Sequence, residues 1–139
     1  GADKKHPAPG TPKNVLGWVT DERCMYWNVR FVYEKYKLPI MITENGYAAH
    51  DAVSLDGMVH DPQRTDFIKR YLGQLKRAAQ ENIPVLGYQH WTVMDNFEWA
   101  EGYDPRFGLV YVDFVSGKRI IKDSAWEYKK IIEKNGAEL

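Results

Sequence analysis

The sequence predicts an α/β fold built on parallel strands and left unfinished at this length. Three observations carry that expectation. Two short apolar runs, "LPIMITENGY" and "IPVLGYQHW", each enter through a proline and run out into polar or acidic residues. Helical patterns alternate with them. The resulting order is helix, strand, helix, strand, hairpin, helix. Two parallel strands cannot bury both faces under three helices or close on themselves, so these βα units read as the tail of something larger.

Each element has its own signal. Residues 1–14 hold Pro7, Pro9, Gly10 and Pro12, which predicts an irregular lead-in, with the βα units occupying 15–139. A helix is expected from Thr20, with Asp21 and Glu22 in a first turn that favours acids and with Met25, Val29, Val32 and Tyr36 at helical spacing. Pro39 stops it and opens a strand to Thr43. Asp61 and Pro62 read as an N-cap and a first-position proline. The helix behind them buries Ile68, Tyr71, Leu72, Leu75, Ala78 and Ala79, and its Lys and Arg residues, such as Lys69, Arg70, Lys76 and Arg77, form a wet face. The second strand follows Pro84. Alternation from Leu109 to Phe114, a turn at Ser116 and Gly117, and "KRII" then predict a hairpin. Ser124 and Glu127 have the spacing of a capping box, opening a last helix that runs to Gly136.

Composition narrows the function. The chain has 139 residues, 44% of them hydrophobic, with 19 basic and 19 acidic residues and no long run of either sign. That balance gives no footprint for nucleic acid or a membrane surface. Cys24 stands alone, which excludes an internal disulfide and suggests a reducing, cytoplasmic compartment. His6, His50, His60 and His90 lack the spacing of a zinc site and are read as satisfied or solvated side chains. No apolar stretch reaches the roughly 20 residues of a membrane span.

Two carboxylates are expected just beyond the ends of the two apolar strands: Glu44 in "ITENG" and Glu98 in "WTVMDNFEW". Adjacent parallel strands bring both to one mouth. Trp91, Trp99 and Phe107 cluster about the second, and broad apolar rings beside carboxylates are a composition suited to sugars, whose C–H faces stack and whose hydroxyls need charged acceptors. Trp18, Trp27 and Trp126 are read instead as helix packing.

In order and spacing, "ITENG", "HWTVMDNFEWAEGYDPRFGLVYVDF" and "KDSAWEYKKII" resemble the C-terminal third of family 1 glycoside hydrolases, the β-glucosidase and β-galactosidase group. The resemblance implies a (β/α)₈ TIM barrel that hydrolyses β-glycosides with retention, with strands seven and eight at "ITENG" and "VLGYQHW". It makes Glu44 the nucleophile, Trp91 the ring under the sugar, Glu98 the acceptor for O4 and O6, Trp99 a donor to O3, and Phe107 a wall on the O6 side. It calls for no metal or cofactor. Departures are Thr92 for a usual serine, and Gln89 and His90 where apolar or aromatic residues are common, changes read as affecting packing near the site. The family's acid/base motif, Asn-Glu-Pro, does not occur. The implied partner is therefore the N-terminal portion of the same barrel, and the chain alone is expected to be inactive. An inactive, self-associating barrel fragment is the alternative reading, and a stand-alone sugar-binding module a further one.

Overall fold

A computed structural model describes residues 8–139; half of the expected lead-in, with His6, lies outside that range. The elements are α1 (Arg23–Tyr36), β1 (Ile40–Asn45), α2 (Pro62–Gln80), β2 (Val85–His90), a 3₁₀ turn (Trp99–Glu101), β3 (Val110–Val112), β4 (Arg119–Ile121) and α3 (Asp123–Glu133). Strands β1 and β2 pair in parallel, and β3 and β4 form the antiparallel hairpin.

The core lies on one face of the parallel pair. Met25, Tyr26 and Val29 of α1 meet Phe67, Ile68, Tyr71, Leu72, Leu75 and Ala78 of α2, with Ile40, Ile42, Val85 and Tyr88 of the strands and Tyr128 and Ile131 of α3 packed against them. The other sheet face is open, with Met41 and Leu86 exposed. Trp27 and Phe31 of α1 stack at 5.5 Å, also exposed.

Several helix ends differ from the sequence expectation. Helix α1 begins at Arg23, not Thr20, because Asp21 folds back to accept the Arg23 N–H at 3.0 Å. Its exit is a left-handed Lys37, whose N–H donates to the Tyr33 carbonyl at 2.8 Å. Val32 and Tyr36 of the expected apolar stripe are exposed, while Tyr26 is buried; Ala79 of α2 is likewise exposed. Pro62 opens α2 as expected, but Asp61 spends its carboxylate elsewhere than on the helix N–H groups. The capping box fails: α3 starts at Asp123, and Ser124 lies buried inside its first turn, its N–H and hydroxyl both donating to Asp61, at 2.8 and 2.5 Å. Tertiary bonding has taken a side chain whose local spacing suited a cap.

The largest departure concerns the wet face of α2. Lys69, Arg70 and Arg77 are exposed, and Lys76 donates to the carbonyls of Gly136, Ala137 and Leu139 at 2.9–3.1 Å. Arg64, however, is wholly buried. It donates to Asp61, to Asp51 at 2.7 Å and to the Arg106 carbonyl at 2.7 Å. Lys122, equally buried, bridges Asp51 and Asp95 at 2.5 and 2.7 Å, and Arg106 reaches Asp95 at 2.7 Å. Three cations thus meet three carboxylates behind the ends of the parallel strands, and every charge has an opposite neighbour, as burial requires.

Candidate functional site

The site forms where β1 and β2 leave the sheet. Glu44 is the penultimate residue of β1, inside the strand rather than just past it. Asn45 and Gly46 follow. The Trp91 N–H donates to the Asn45 carbonyl at 2.8 Å, and the backbones approach so closely that a Cβ on Gly46 would stand 1.8 Å from the Trp91 oxygen. This is the local reason for the "ENG" run: only a residue without a side chain lets the two strand exits touch. The Trp91–Thr92 peptide is cis.

Glu98 reaches the same mouth from the segment after β2. The Trp91 indole N–H donates to its carboxylate at 3.3 Å. A turn closed by Glu98 N–H on the Gly102 carbonyl, 2.7 Å, holds its backbone. Partial burial pushes the Glu98 pKa up; the indole bond acts against that rise, and the nearby charge of Glu44 adds to it. The charge of Glu44 therefore reaches Glu98 across the mouth. Phe107 is buried beside them, its carbonyl accepting from the Thr92 N–H at 3.3 Å.

Glu44, Trp91, Glu98 and Phe107 line one cavity of about 340 Å³. Trp99 does not: it is 84% exposed and points out from the 3₁₀ turn. Trp18 does, against the helix-packing expectation. It precedes α1, on a small loop in which Asn14 Oδ1 accepts the N–H groups of Leu16 and Trp18, both at 3.0 Å, and its ring meets Phe107 at 6.1 Å. The signal available in the sequence was the glycine before it: Gly17, at φ +76°, makes the turn that lifts Trp18 to the rim. A larger hollow, about 510 Å³, lies between the lead-in and the start of α2, but its acids Glu22 and Asp66 face Arg70.

Two histidines refine the sequence expectation. His60 is held between Asp123 at 2.6 Å and Asp56 at 3.0 Å, which push its pKa up to about 9. His90, at the end of β2, is neither satisfied nor solvated. Its ring nitrogens are enclosed without a hydrogen-bond partner among the described residues, and burial, with Arg64 and Lys122 nearby, pushes its pKa down to about 4. It is a neutral packing group against Tyr128, ring centroids 5.9 Å apart. Among the described residues no group of three or more His, Cys, Asp or Glu side chains could hold a metal ion, and no helix is long and apolar enough to cross a membrane.

Two carboxylates thus share an aromatic-walled cleft at the carboxyl ends of parallel strands, the place where ligands bind in sheets of this kind. The chain belongs to glycosyl hydrolase family 1, whose sequence model it matches over residues 2–137. It is 48% identical over 128 residues to β-glucosidase A of Thermotoga maritima, covering 91% of this chain and 29% of that protein. It is 42% identical over 131 residues to a bifunctional β-D-glucosidase/β-D-fucosidase of Bifidobacterium breve, covering 91% and 28%. The solved family 1 β-glucosidase from Thermotoga maritima superposes with a TM-score of 0.90 at 47% identity, again over 91% of this chain and 29% of the other. The chain thus corresponds to part of a TIM barrel and spans less than a third of the length of these relatives.

Proposed function

We propose that this chain supplies the nucleophile and part of the sugar site of a retaining β-glycosidase, as strands seven and eight of the barrel with their helices in residues 15–139 and a lead-in at 1–14. The observation that supports it most is the convergence of Glu44, Trp91, Glu98 and Phe107 on one cavity at the strand ends. Glu44, ionised, attacks the anomeric carbon; the glycosidic C–O bond breaks, and a covalent glycosyl ester forms that water then hydrolyses. Trp91 lies against the sugar, Glu98 accepts from its hydroxyls, and Phe107 walls the cleft. Trp18 gives the rim a second indole. Trp99 joins as a hydroxyl donor only if the completed barrel turns it inward.

The leaving oxygen needs a proton from an acid that these residues do not include. Its loss forfeits roughly 10² to 10⁴-fold in rate. The chain therefore works in complement with the N-terminal portion of the barrel, and alone it turns over no glycoside. Its lone Cys24 suits a reducing, cytoplasmic compartment. A second reading, an inactive fragment that self-associates, draws on the exposed Met41, Leu86, Trp27 and Phe31. A sugar-binding module is disfavoured by the outward Trp99.

The test joins this chain to the N-terminal portion of a family 1 barrel, such as that of Thermotoga maritima β-glucosidase A, and assays an aryl β-glucoside. Glu44→Gln, nearly isosteric but without the attacking charge, is expected to abolish turnover while the barrel still melts cooperatively. Turnover near that of the unsubstituted enzyme overturns the assignment.

A further inference from the structure

The register of the two parallel strands breaks twice, and the second break carries the proposed nucleophile. Ile42 pairs with Tyr88 and Asn45 with His90, so Thr43 and Glu44 of β1 stand against one residue of β2. An extra residue of this kind bends its strand and re-aims a side chain, but it also disrupts the ladder, so other contacts must hold the backbone there. Here one residue holds both ends of the step. Tyr88 is paired with Ile42 at the near end, and its ring packs on the core. Its hydroxyl reaches the far end, donating to Asn45 Oδ1 at 2.9 Å and lying 3.2 Å from the Asn45 carbonyl oxygen. A phenol has one proton to give, so both oxygens of Asn45 are drawn to one point. The Trp91 N–H donates to the same carbonyl at 2.8 Å. Glu44 stands between the two anchors.

We propose that Tyr88 is a positioning residue for Glu44: by holding Asn45, its hydroxyl fixes the direction in which the Glu44 side chain leaves the strand. The proposal rests on Glu44 being the nucleophile. Glu44, Asn45 and Gly46 line the cavity and Tyr88 does not, so the effect reaches the site through the backbone of β1. Burial pushes the Tyr88 pKa up, and the neighbouring Tyr128 and Tyr71 add to the rise, so the hydroxyl keeps the proton it donates. Tyr128 of α3 holds Tyr88 from behind, its ring edge-on at 6.3 Å and its hydroxyl donating to the Tyr88 carbonyl at 3.4 Å. Without the Tyr88 hydroxyl, Asn45 keeps backbone pairing alone. A small rotation of the step then swings the Glu44 carboxylate, at the end of its stem, further than the backbone itself moves.

The experiment uses the completed barrel and a 2-deoxy-2-fluoro glycoside with a dinitrophenolate leaving group. Inactivation forms the bond from a Glu44 oxygen to the anomeric carbon and breaks the bond to dinitrophenolate, which leaves with the electron pair. No proton is needed by that leaving group, so the limiting rate ki reports the aim of the nucleophile and Ki the fit of the sugar. Tyr88→Phe, which removes only the hydroxyl, is expected to lower ki about tenfold and leave Ki in place, since a misplacement of about 1 Å is worth roughly 10²-fold. Tyr128→Phe removes the neighbouring hydroxyl without touching Asn45 and is expected to keep the parent ki. Asn45→Ala takes away the nearer acceptor, lowers ki in the same direction, and carries the test if Tyr88→Phe does not assemble; the two together cost less than the product of their separate effects. If assembled Tyr88→Phe is labelled on Glu44 at the parent ki, if only Ki changes, or if Tyr128→Phe slows labelling as much, the inference about Tyr88 is overturned. If peptide mapping finds the unsubstituted barrel labelled elsewhere than Glu44, the nucleophile assignment itself fails and takes the inference with it.

Discussion

Replacing Lys122 by Met tests how the charged cluster behind the site is held together. Lys122 is fully buried and donates to Asp51 and Asp95, at 2.5 and 2.7 Å. Burial pulls its pKa down and the neighbouring Arg64 pulls the same way, while the two aspartates oppose them. Removing one partner of a buried pair costs about 3–5 kcal/mol, because the charge left behind is unpaired. Here the cost falls toward the lower end. Asp51 keeps Arg64 at 2.7 Å, and Asp95 keeps Arg106 at 2.7 Å and the Gly108 N–H at 2.9 Å. A loss of about 3 kcal/mol is therefore expected, read from the urea midpoint of the completed barrel at unchanged slope. Adding Asp51→Asn to Lys122→Met leaves Arg64 and Arg106 facing Asp61 and Asp95, again balanced. The double variant should regain at least half the loss, a coupling that contact through one network predicts. A single-variant loss below about 1 kcal/mol, or a double variant no better than the single, would refute the reasoning.

Other outcomes follow from single contacts. Gly46→Ala sets a Cβ against the Trp91 carbonyl, at 1.8 Å without relaxation, and must push the two strand exits apart. A displacement of about 1 Å at the nucleophile is expected to lower kcat/KM by roughly 10²-fold, measured on the aryl glycoside; a variant as active as its parent rejects the close approach. His60, with its pKa raised to about 9 from 6.5, stabilises the fold fully below pH 6.5, and that contribution disappears as pH rises through 9. The melting temperature of the unsubstituted barrel should therefore fall more steeply between pH 7 and 10 than that of His60→Asn, and parallel curves would show that the Asp56 and Asp123 contacts carry no net charge effect.

What could be read from sequence was whatever a strand determines about its own ends. Glu44 was legible because an apolar run that breaks into a carboxylate announces a strand leaving the core; Glu98, eight residues beyond the end of β2, was singled out by the family resemblance. Trp18 was not legible, since Gly17 marks a turn but does not say that the turn will carry the ring to Phe107. Trp99 stands outside the cavity for the converse reason: adjacency to Glu98 in the chain says nothing of direction once a 3₁₀ turn intervenes. Arg64 was the hardest. An arginine on an amphipathic helix reads as solvated, and beyond the nearby Asp61 it bonds to Asp51 and the Arg106 carbonyl, 13 and 42 residues away.

That same contact explains why the cluster and the cavity belong to one device. Arg106 pairs through its backbone with Ala49, both ways, at 3.0 and 2.9 Å, and its guanidinium reaches Asp95. The next residue, Phe107, faces the cavity. Ala49 follows β1 only four residues after Asn45, and Asp95 lies between Trp91 and Glu98 along the chain. The buried charges therefore tie the exit of β1, the Phe107 segment and the Trp91–Glu98 segment to the helix layer at points a few residues from each site side chain. Apolar packing of equal volume could hold these segments as firmly, but it would not specify which of them meets which; alternating charges tolerate one pairing, since a shift of any segment leaves an unpaired charge in the interior. The side chains that line the cavity are held from behind, by charged residues outside its lining.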